Sequence, residues 1–461
     1  MIPDDLARAV LERLLSRGGD FAEVYCESLR GVALSYEDRS LEEASAGVDR
    51  GVGLRLVRDG TTAFANGNDL APEALLSMAE DLASTGSGGA ARGVPPLARR
   101  ATVSPAEARV RPSGVPTEEK VRVLARADEA ARAHDPRVVQ VQARYRDSER
   151  SILIANSEGL LAGDLVVYTS LLATAVAREG RLIKSATKSA SGTVGFEILE
   201  AQPPEELARE AARVACLQLT ADPAPAGTFT VVLSAEAGGT MVHEACGHGL
   251  EGDFVLKGLS VYAGCVGRKV ASSVVTVIDD GTLPGRRGSF GIDDEGTPSR
   301  RNVLIENGEL LGFLHSRRTA SLTGAEPTGN GRRESYRHLP IPRMTNTMIA
   351  PGRDDPAEIV ASVPDGILVT DMGGGEVDIV SGNFVFHCTE AYRIRDGRIM
   401  EPLRDAILTG NGPDVLARID RVGRDLGFQV GTCGKDGQGV PVSDAQPTLR
   451  IPGIVVGGQA R

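Results

Sequence analysis

Twice in its first 222 residues the chain runs through one order of elements: an amphipathic helix, a group of short strands, and a second helix. No other feature constrains the fold as much. In the first pass Pro3 and Asp4 precede an apolar stripe of Leu6, Val10, Leu11 and Leu14, closed by Gly18-Gly19, a pattern of helix start and stop. The runs FAEVYCESL, GVALSYED, GVGLRLVRDG and TTAFANG follow, separated by Gly, Asp and Arg as in an antiparallel meander. APEALLSMAEDLAS then reads as a helix. The second pass has a helix at TEEKVRVLARADEAARAH, strands from RVVQVQARYRD through GDLVVYTSLLATAVARE to SATKSASGTVGFE, and a helix at PPEELAREAARVACLQLT. The expectation is two related α+β units, 1–90 and 113–222, joined by a Gly/Pro/Ala-rich connector at 91–112.

At residue 223 the texture changes. Glycine-punctuated runs such as FTVVLS, SSVVTVIDD, RNVLIENGELLGFL, GNFVFHCTEAYRIRDGRI and PTLRIPGIVVGG predict a β-rich, mostly antiparallel third domain over 223–461. The fold class is therefore α+β. A chain of 461 residues, 41% apolar and 25% charged, has the composition of two or three domains with hydrophobic cores. A net charge of −11, with only short arginine pairs such as Arg286-Arg287 and Arg332-Arg333, argues against nucleic acid or an anionic membrane as partner. The N-terminus has acids where a signal peptide needs bases, no stretch has the length of a membrane span, and the six cysteines form no CxxC pair. Together these point to the cytoplasm.

The one convincing helix early in the third domain is EAGGTMVHEACGHGL, and it carries HEACGH, residues 243 to 248. In zinc proteases of the HExxH kind the histidines stand four apart and the glutamate is the general base. Here they stand five apart. Residues advance about 100° each on an α-helix, so positions five apart differ by about 140° and do not share a face. A π-bulge inserts one residue and would bring the fifth position back over the first. Gly247 and Gly249 flank His248, where departure from helical dihedrals costs least. Given such a bulge, His243 and His248 suit a catalytic zinc, which wants three protein ligands, and Glu244 suits the proton acceptor. The competing reading is two histidines that merely pack, and the motif alone leaves both open.

Several residues compete as a third ligand. Glu251 stands three past His248; His387 and Cys388 are strand neighbours, of which at most one points inward; His315 lies in the strand-like LLGFLHS. Cys433, in the apparent loop GTCGKDGQG, has no apolar core around it and would be an excellent ligand as thiolate. Cys246 is expected to pack behind the helix, and Cys26, Cys216 and Cys265 to be buried thiols. Two polar, irregular segments, GSFGIDDEGTPSRRN and TGNGRRESYRHLPIPRMTNTMIAPG, read as loops lining a site. In the second, Arg332, Arg333, Tyr336 and His338 are candidates to bind a peptide carbonyl or carboxylate or to stabilise an oxyanion. DMGGGE at 371–376 lacks the Lys-Ser/Thr of a phosphate loop and reads as a turn.

HEACGH followed by GLEGD, then DDEGTPS, TGNGRRESYRHLPIPRMTNTMIAPG, GNFVF, EAYRIRDGRI and the terminal GTCGKDGQ and QPTLRIPGIVVGG resemble the TldD/PmbA family of cytoplasmic metalloproteases. The likeness extends to GVGLRLVRDGTTAFANGNDL near the N-terminus. The resemblance is to the TldD branch, which has HExxxH, and not to the TldE (PmbA) branch, which lacks it. It implies zinc held by His243, His248 and Cys433, with Glu244 as the motif glutamate. It also implies a heterodimer with a TldE-like paralogue that encloses the site and cleaves short or unstructured peptides, including leader peptides and labile antitoxins. Loops 286–300 and 328–351 are expected to help form that enclosure. Two rival functions remain at this level: a non-catalytic modulator subunit, and a zinc hydrolase of a non-peptide amide.

Overall fold

The computed structural model describes residues 1–85, 88–378 and 380–458. The fold is α+β. Counting strands of four residues or more, the N-terminal half contains β1 (Phe21–Glu37), β2 (Ser40–Arg58), β3 (Thr61–Gly67), β4 (Val138–Asn156), β5 (Leu160–Glu179) and β6 (Leu182–Gly192). Each triplet is an antiparallel meander, and β1 and β4 pair with each other along most of their length, so the order is β3-β2-β1-β4-β5-β6. One sheet therefore runs through both helix–meander–helix units, while each unit keeps a separate core. The first core packs helices Asp4–Leu14 and Pro72–Ala83 on β1 and β2 through Leu11, Leu14, Leu54 and Leu75. The second packs helices Thr117–His134 and Pro204–Thr220 on β4 to β6 through Leu124, Val141, Leu171 and Ala211.

The strands are longer than the runs of apolar residues suggested. FAEVYCESL and GVALSYED are one strand, and β2 begins at Ser40, eleven residues before its apolar part. Residues 40–48 of β2 are exposed throughout, so no period-2 burial marked them.

The C-terminal half contains β7 (Gly227–Leu233), β8 (Val277–Asp280), β9 (Arg301–Glu306), β10 (Asn346–Ile349), β11 (Asp365–Val377), β12 (Asn383–Arg395), β13 (Arg398–Arg404), β14 (Ile407–Asn411), β15 (Gly427–Lys435), β16 (Gln438–Gln446) and β17 (Leu449–Gly457). One sheet has the central order β9-β8-β10-β16-β15. In the other, β11-β7-β17-β14-β12 closes on itself because β12 also pairs with β11. Pairing is antiparallel except at β11–β7 and β10–β16 among these strands. Between the two sheets lies the largest apolar cluster, which includes Val231, Leu233, Ile367, Phe386, Val442 and Ile451. The motif helix is inserted into it, burying Met241, Val242, Ala245 and Cys246.

Two segments differ from expectation. Asp371–Val377 is not a turn but the end of β11, where the register with β12 shifts three times between Val369 and Gly374. Gly374 has φ +120°, and a Cβ on Gly375 would meet Phe386 at 1.9 Å, so glycine is required by conformation at one position and by contact at the other. Cys433 is likewise on a strand, β15, and not in a loop. GTCGKDGQG misleads because its turn is only Asp436-Gly437, with φ +50° and +72°, while the glycines before it are strand residues.

Candidate metal centre

The helix bearing HEACGH changes pitch within the motif. Thr240–Val242 is α-helical, His243–Gly247 forms a π turn and His248–Leu250 a 3₁₀ turn. The inserted residue brings His248 round to His243, and the two rings meet edge-on with centroids 5.0 Å apart. Neighbours make the wide turn possible. A Cβ on Gly247 would meet Met344 Sδ at 2.1 Å, and one on Gly412 would meet the Ala245 carbonyl oxygen at 2.3 Å. That carbonyl also accepts from the Tyr262 hydroxyl at 3.0 Å. A Cβ on Gly239 would meet Ala445 N at 2.1 Å, so the helix start lies directly on β16.

This contact sets Asp444 of β16 against His243, whose Nδ1 donates to Asp444 Oδ1 at 2.7 Å. His248 Nδ1 donates to Glu251 Oε2 at 3.1 Å. Each carboxylate holds one ring by Nδ1 and leaves Nε2 free, as partners of metal-binding histidines do. Cys433 Sγ lies 3.4 Å from His248 Nε2. One ligand atom from each of His243, His248 and Cys433 falls within 4.8 Å of the others, and all three residues are buried. Tetrahedral ligands at usual Zn–N and Zn–S lengths stand about 3.3 to 3.6 Å apart; the 3.4 Å between Cys433 and His248 is of that size, and two imidazoles with a thiol are a donor set that suits zinc.

The electrostatics follow from burial and these contacts. Burial opposes the charged form of both histidines, but Asp444 and Cys433 hold His243 well above its ordinary value. Glu251 and Cys433 hold His248 at about 9. Burial likewise opposes the Cys433 thiolate, yet hydrogen bonds and charge from the two histidines bring it down to about 5. Cys246, buried with no such partners, is pushed up to about 12, and its Sγ contacts Val242 O, so it packs as expected. Glu244 is half-buried and its carboxyl is raised, chiefly by desolvation.

Glu251 is not placed as a third ligand. It is fully buried behind the His248 ring, where it also accepts from Lys435 Nζ at 2.9 Å, and Arg343 Nε stands 3.9 Å away. Despite burial, Lys435 and His248 hold its carboxyl down at about 2. Arg343 additionally donates to the Cys433 carbonyl, tying the thiol's strand to the same cluster. Sequence reasoning missed Asp444, Lys435 and Arg343 in these roles. His315 is not in the cluster, its Nδ1 being bonded to Thr319 Oγ1 at 3.2 Å, while His387 is exposed and Cys388 buried on opposite faces of β12.

A cavity of about 860 Å³ reaches His243, Glu244, His248 and Cys433. Its walls include Leu172 of β5, Ser185, Thr187 and Ser189 of β6, Asp371–Val377 of β11 and Gln429–Gly434 of β15. Among the described residues, none of 286–300 or 328–351 lines it, contrary to expectation. Those polar segments are buried between the N-terminal sheet and the third domain by ion pairs. Arg333 bonds Glu23 at 2.6 Å, Arg55 bonds Glu295 at 2.8 Å, and Arg150 bonds Asp294 at 3.0 Å. Arg332, Arg333, Tyr336 and His338 are thus not brought to the metal centre. Arg332 donates to the Met344 and Pro441 carbonyls, the Tyr336 hydroxyl to Asp49, and His338 pairs with Ser335.

Comparison with known proteins agrees with the whole chain. Models of the PmbA/TldA metallopeptidase domain 1, central domain and C-terminal domain match residues 22–85, 110–219 and 226–458. The chain belongs to the PmbA/TldD metallopeptidase family. Among family members, a metalloprotease TldD homolog of Haemophilus influenzae is 39% identical over 97% of this chain and 95% of its own. A metalloprotease of Methanothermobacter thermautotrophicus is 38% identical over 95% and 96%. In fold, the chain is similar to TldE from Thermococcus kodakarensis, with a TM-score of 0.78 at 20% identity over 99% of each chain. It is equally similar to a putative modulator of DNA gyrase from Thermotoga maritima, at 24% identity over 95% and 96%.

Proposed function

We propose that the chain is a zinc metallopeptidase of the HExxxH type, with His243, His248 and Cys433 as ligands and Glu244 as general base. The observation that carries this reading is the π turn, which converges two imidazoles and a thiol while leaving a half-buried carboxylate on the same cavity. Zinc bound there would polarise a peptide carbonyl and make water nucleophilic near neutral pH. Glu244 takes the proton of the attacking water, and the raised value of its carboxyl suits an acceptor that must later return the proton to the leaving amine. Asp444 and Glu251 fix the rings and oppose their rotation.

The substrates in this reading are short or unstructured peptides, because His243, His248 and Cys433 are buried at the wall of a cavity, which a flexible strand enters more readily than a folded surface. The partner is a TldE-like paralogue in the cytoplasm, completing the passage without contributing a ligand; the fold likeness to the Thermococcus TldE supports a partner built on the same frame. Glu244→Gln keeps the side-chain shape and removes the acceptor. It should retain one zinc per chain by elemental analysis while cleavage of a flexible peptide falls about a hundredfold or more. Activity surviving that change would sink the assignment. Full activity of the isolated chain, unchanged by adding the paralogue, would remove the partner.

A further inference from the structure

A second cavity, of about 940 Å³, adjoins the first: Leu172, Ser189, Val430, Gly431 and Thr432 line both. It lies between the N-terminal sheet and the β15–β16 hairpin. The sheet register shows what faces it. Arg144 stands opposite Leu172, which stands opposite Ser189; in the next row Arg146 stands opposite Ser170, and Ser170 opposite Ser191. Directly opposed residues share a face of the sheet, so both arginines project on the side of the cavity. From the far wall Arg287 reaches the same row, its Nη1 donating to Ser191 Oγ at 2.7 Å and its Nε to Gly431 O at 3.1 Å.

Among the described residues none of these three guanidinium groups has a counterion. Arg144 and Arg146 are exposed and have no ion pair or side-chain hydrogen bond among the described residues, and Arg287 bonds only neutral acceptors. The acidic residues lining the cavity are engaged elsewhere: Glu27 and Asp294 with Arg150, Asp147 with Lys120, Asp49 with Arg337, and Glu334 with the Gly439 N–H. Burial and the Arg146 charge both push the Arg287 guanidinium down, so these like charges are close enough to repel. In a chain of net charge −11, a row of arginines without acidic partners among the described residues, beside the candidate metal centre, is a local positive field that suits an anion.

We propose that Arg144, Arg146 and Arg287 form a subsite for a carboxylate of the peptide substrate, an acidic side chain or the free C-terminus, lying beyond the residues that occupy the metal-centre cavity. The inference rests on the peptidase reading above. The shared rim at Leu172 and Ser189 is two residues along the sheet from Ser170 and Ser191, roughly 7 Å, which one or two residues of extended peptide cover. Guanidinium forks match carboxylates in geometry, and the serines around them leave room for the chain.

The test uses the zinc-loaded full chain, with its paralogue where one is encoded, and three fluorogenic peptides of one core sequence. One has an acidic residue and an amidated end, one is neutral with a free C-terminus, and one is neutral and amidated. One or both carboxylate peptides should have a KM about tenfold lower than the neutral amidated one, and the arm that gains identifies the source. The preference should shrink with salt and vanish in Arg144→Gln/Arg146→Gln, two exposed positions whose change should leave zinc content unaltered. Equal kcat/KM for all three peptides, or a preference that survives the double variant, overturns the subsite. Anisotropy with Glu244→Gln separates the two hypotheses. Arginine-dependent binding of the carboxylate peptides without any cleavage by wild type sinks the peptidase reading and keeps the subsite; cleavage without preference does the reverse.

Discussion

Replacing Glu251 with Gln tests whether this buried carboxylate orients His248 or binds the metal itself. The side chain keeps its shape and an oxygen that can accept from His248 Nδ1, so the ring stays in place and only the negative charge is removed. At an effective dielectric near 20, unit charges at the 3.9 Å that separates Glu251 from Arg343 attract by about 4 kcal/mol, an upper bound on what removing the carboxylate charge costs that pair. The net effect is smaller, because Lys435 keeps Asp253 as a partner at 2.6 Å and is not left as an unpaired buried cation. Loss of an outer carboxylate behind a ligating imidazole typically weakens metal binding 10- to 100-fold, about 1.4 to 2.7 kcal/mol. We expect that range for Glu251→Gln when zinc is titrated against a chromophoric chelator. Cys433→Ser, which removes the thiolate donor, should lose stoichiometric zinc in the same assay. Full zinc retention in Cys433→Ser together with abolished binding in Glu251→Gln would refute the reasoning and make Glu251 the third ligand.

Two further outcomes follow from the same geometry. Gly247→Ala puts a Cβ 2.1 Å from Met344 Sδ, in a site where Met344 is fully buried, and should destabilise the chain by about 1–3 kcal/mol in a denaturant titration and weaken zinc binding; Met344→Ala on the same chain should recover zinc binding but not stability, since it leaves a cavity, and a neutral Gly247→Ala would show that the π turn does not need the contact. With His243 held well above its ordinary value, His248 at about 9 and Cys433 at about 5, metal-free protein at pH 7 carries two imidazolium rings and a thiolate, so zinc uptake should release about two protons per chain, one from each histidine, read by calorimetry in buffers of different ionisation enthalpy. Apparent zinc affinity should then rise with pH up to about 9, as the competing His248 proton leaves. The stability that the raised His248 gives the metal-free fold has the opposite sign, being full below its unfolded value of 6.5 and lost as pH rises through about 9. Release of no protons at pH 7 would contradict this charge state.

What was legible in the sequence depended on whether a residue's task leaves a local pattern. The helices at 4–14, 72–83, 117–134 and 204–220 show their apolar stripes in sequence because one face of each is buried on a sheet. The hairpin arm of β2 over residues 40–48 has neither face buried and left no pattern. Arg333 and Glu23 lie 310 positions apart, and each looks like solvated surface in its own segment; only the pairing across the two halves makes their burial possible. The same holds for Asp444 and Lys435. A carboxylate behind an imidazole is chosen by where a distant strand passes, and no spacing near His243 or His248 announces it.

The pitch of the motif helix was different, because two constraints fell within six residues. Two histidines five apart can share a site only if the helix inserts one residue, and that insertion requires a turn wider than an α-helix at positions with room for it. Gly247 supplies the room. With a Cβ there the Met344 side chain would have to shift off the turn, and Met344 belongs to the segment whose Arg343 holds the Cys433 carbonyl and lies near Glu251. One glycine therefore couples helix pitch, the position of the thiol's strand and the carboxylate behind His248. The metal centre is in this sense a packing problem first, and the five-residue spacing is its local trace.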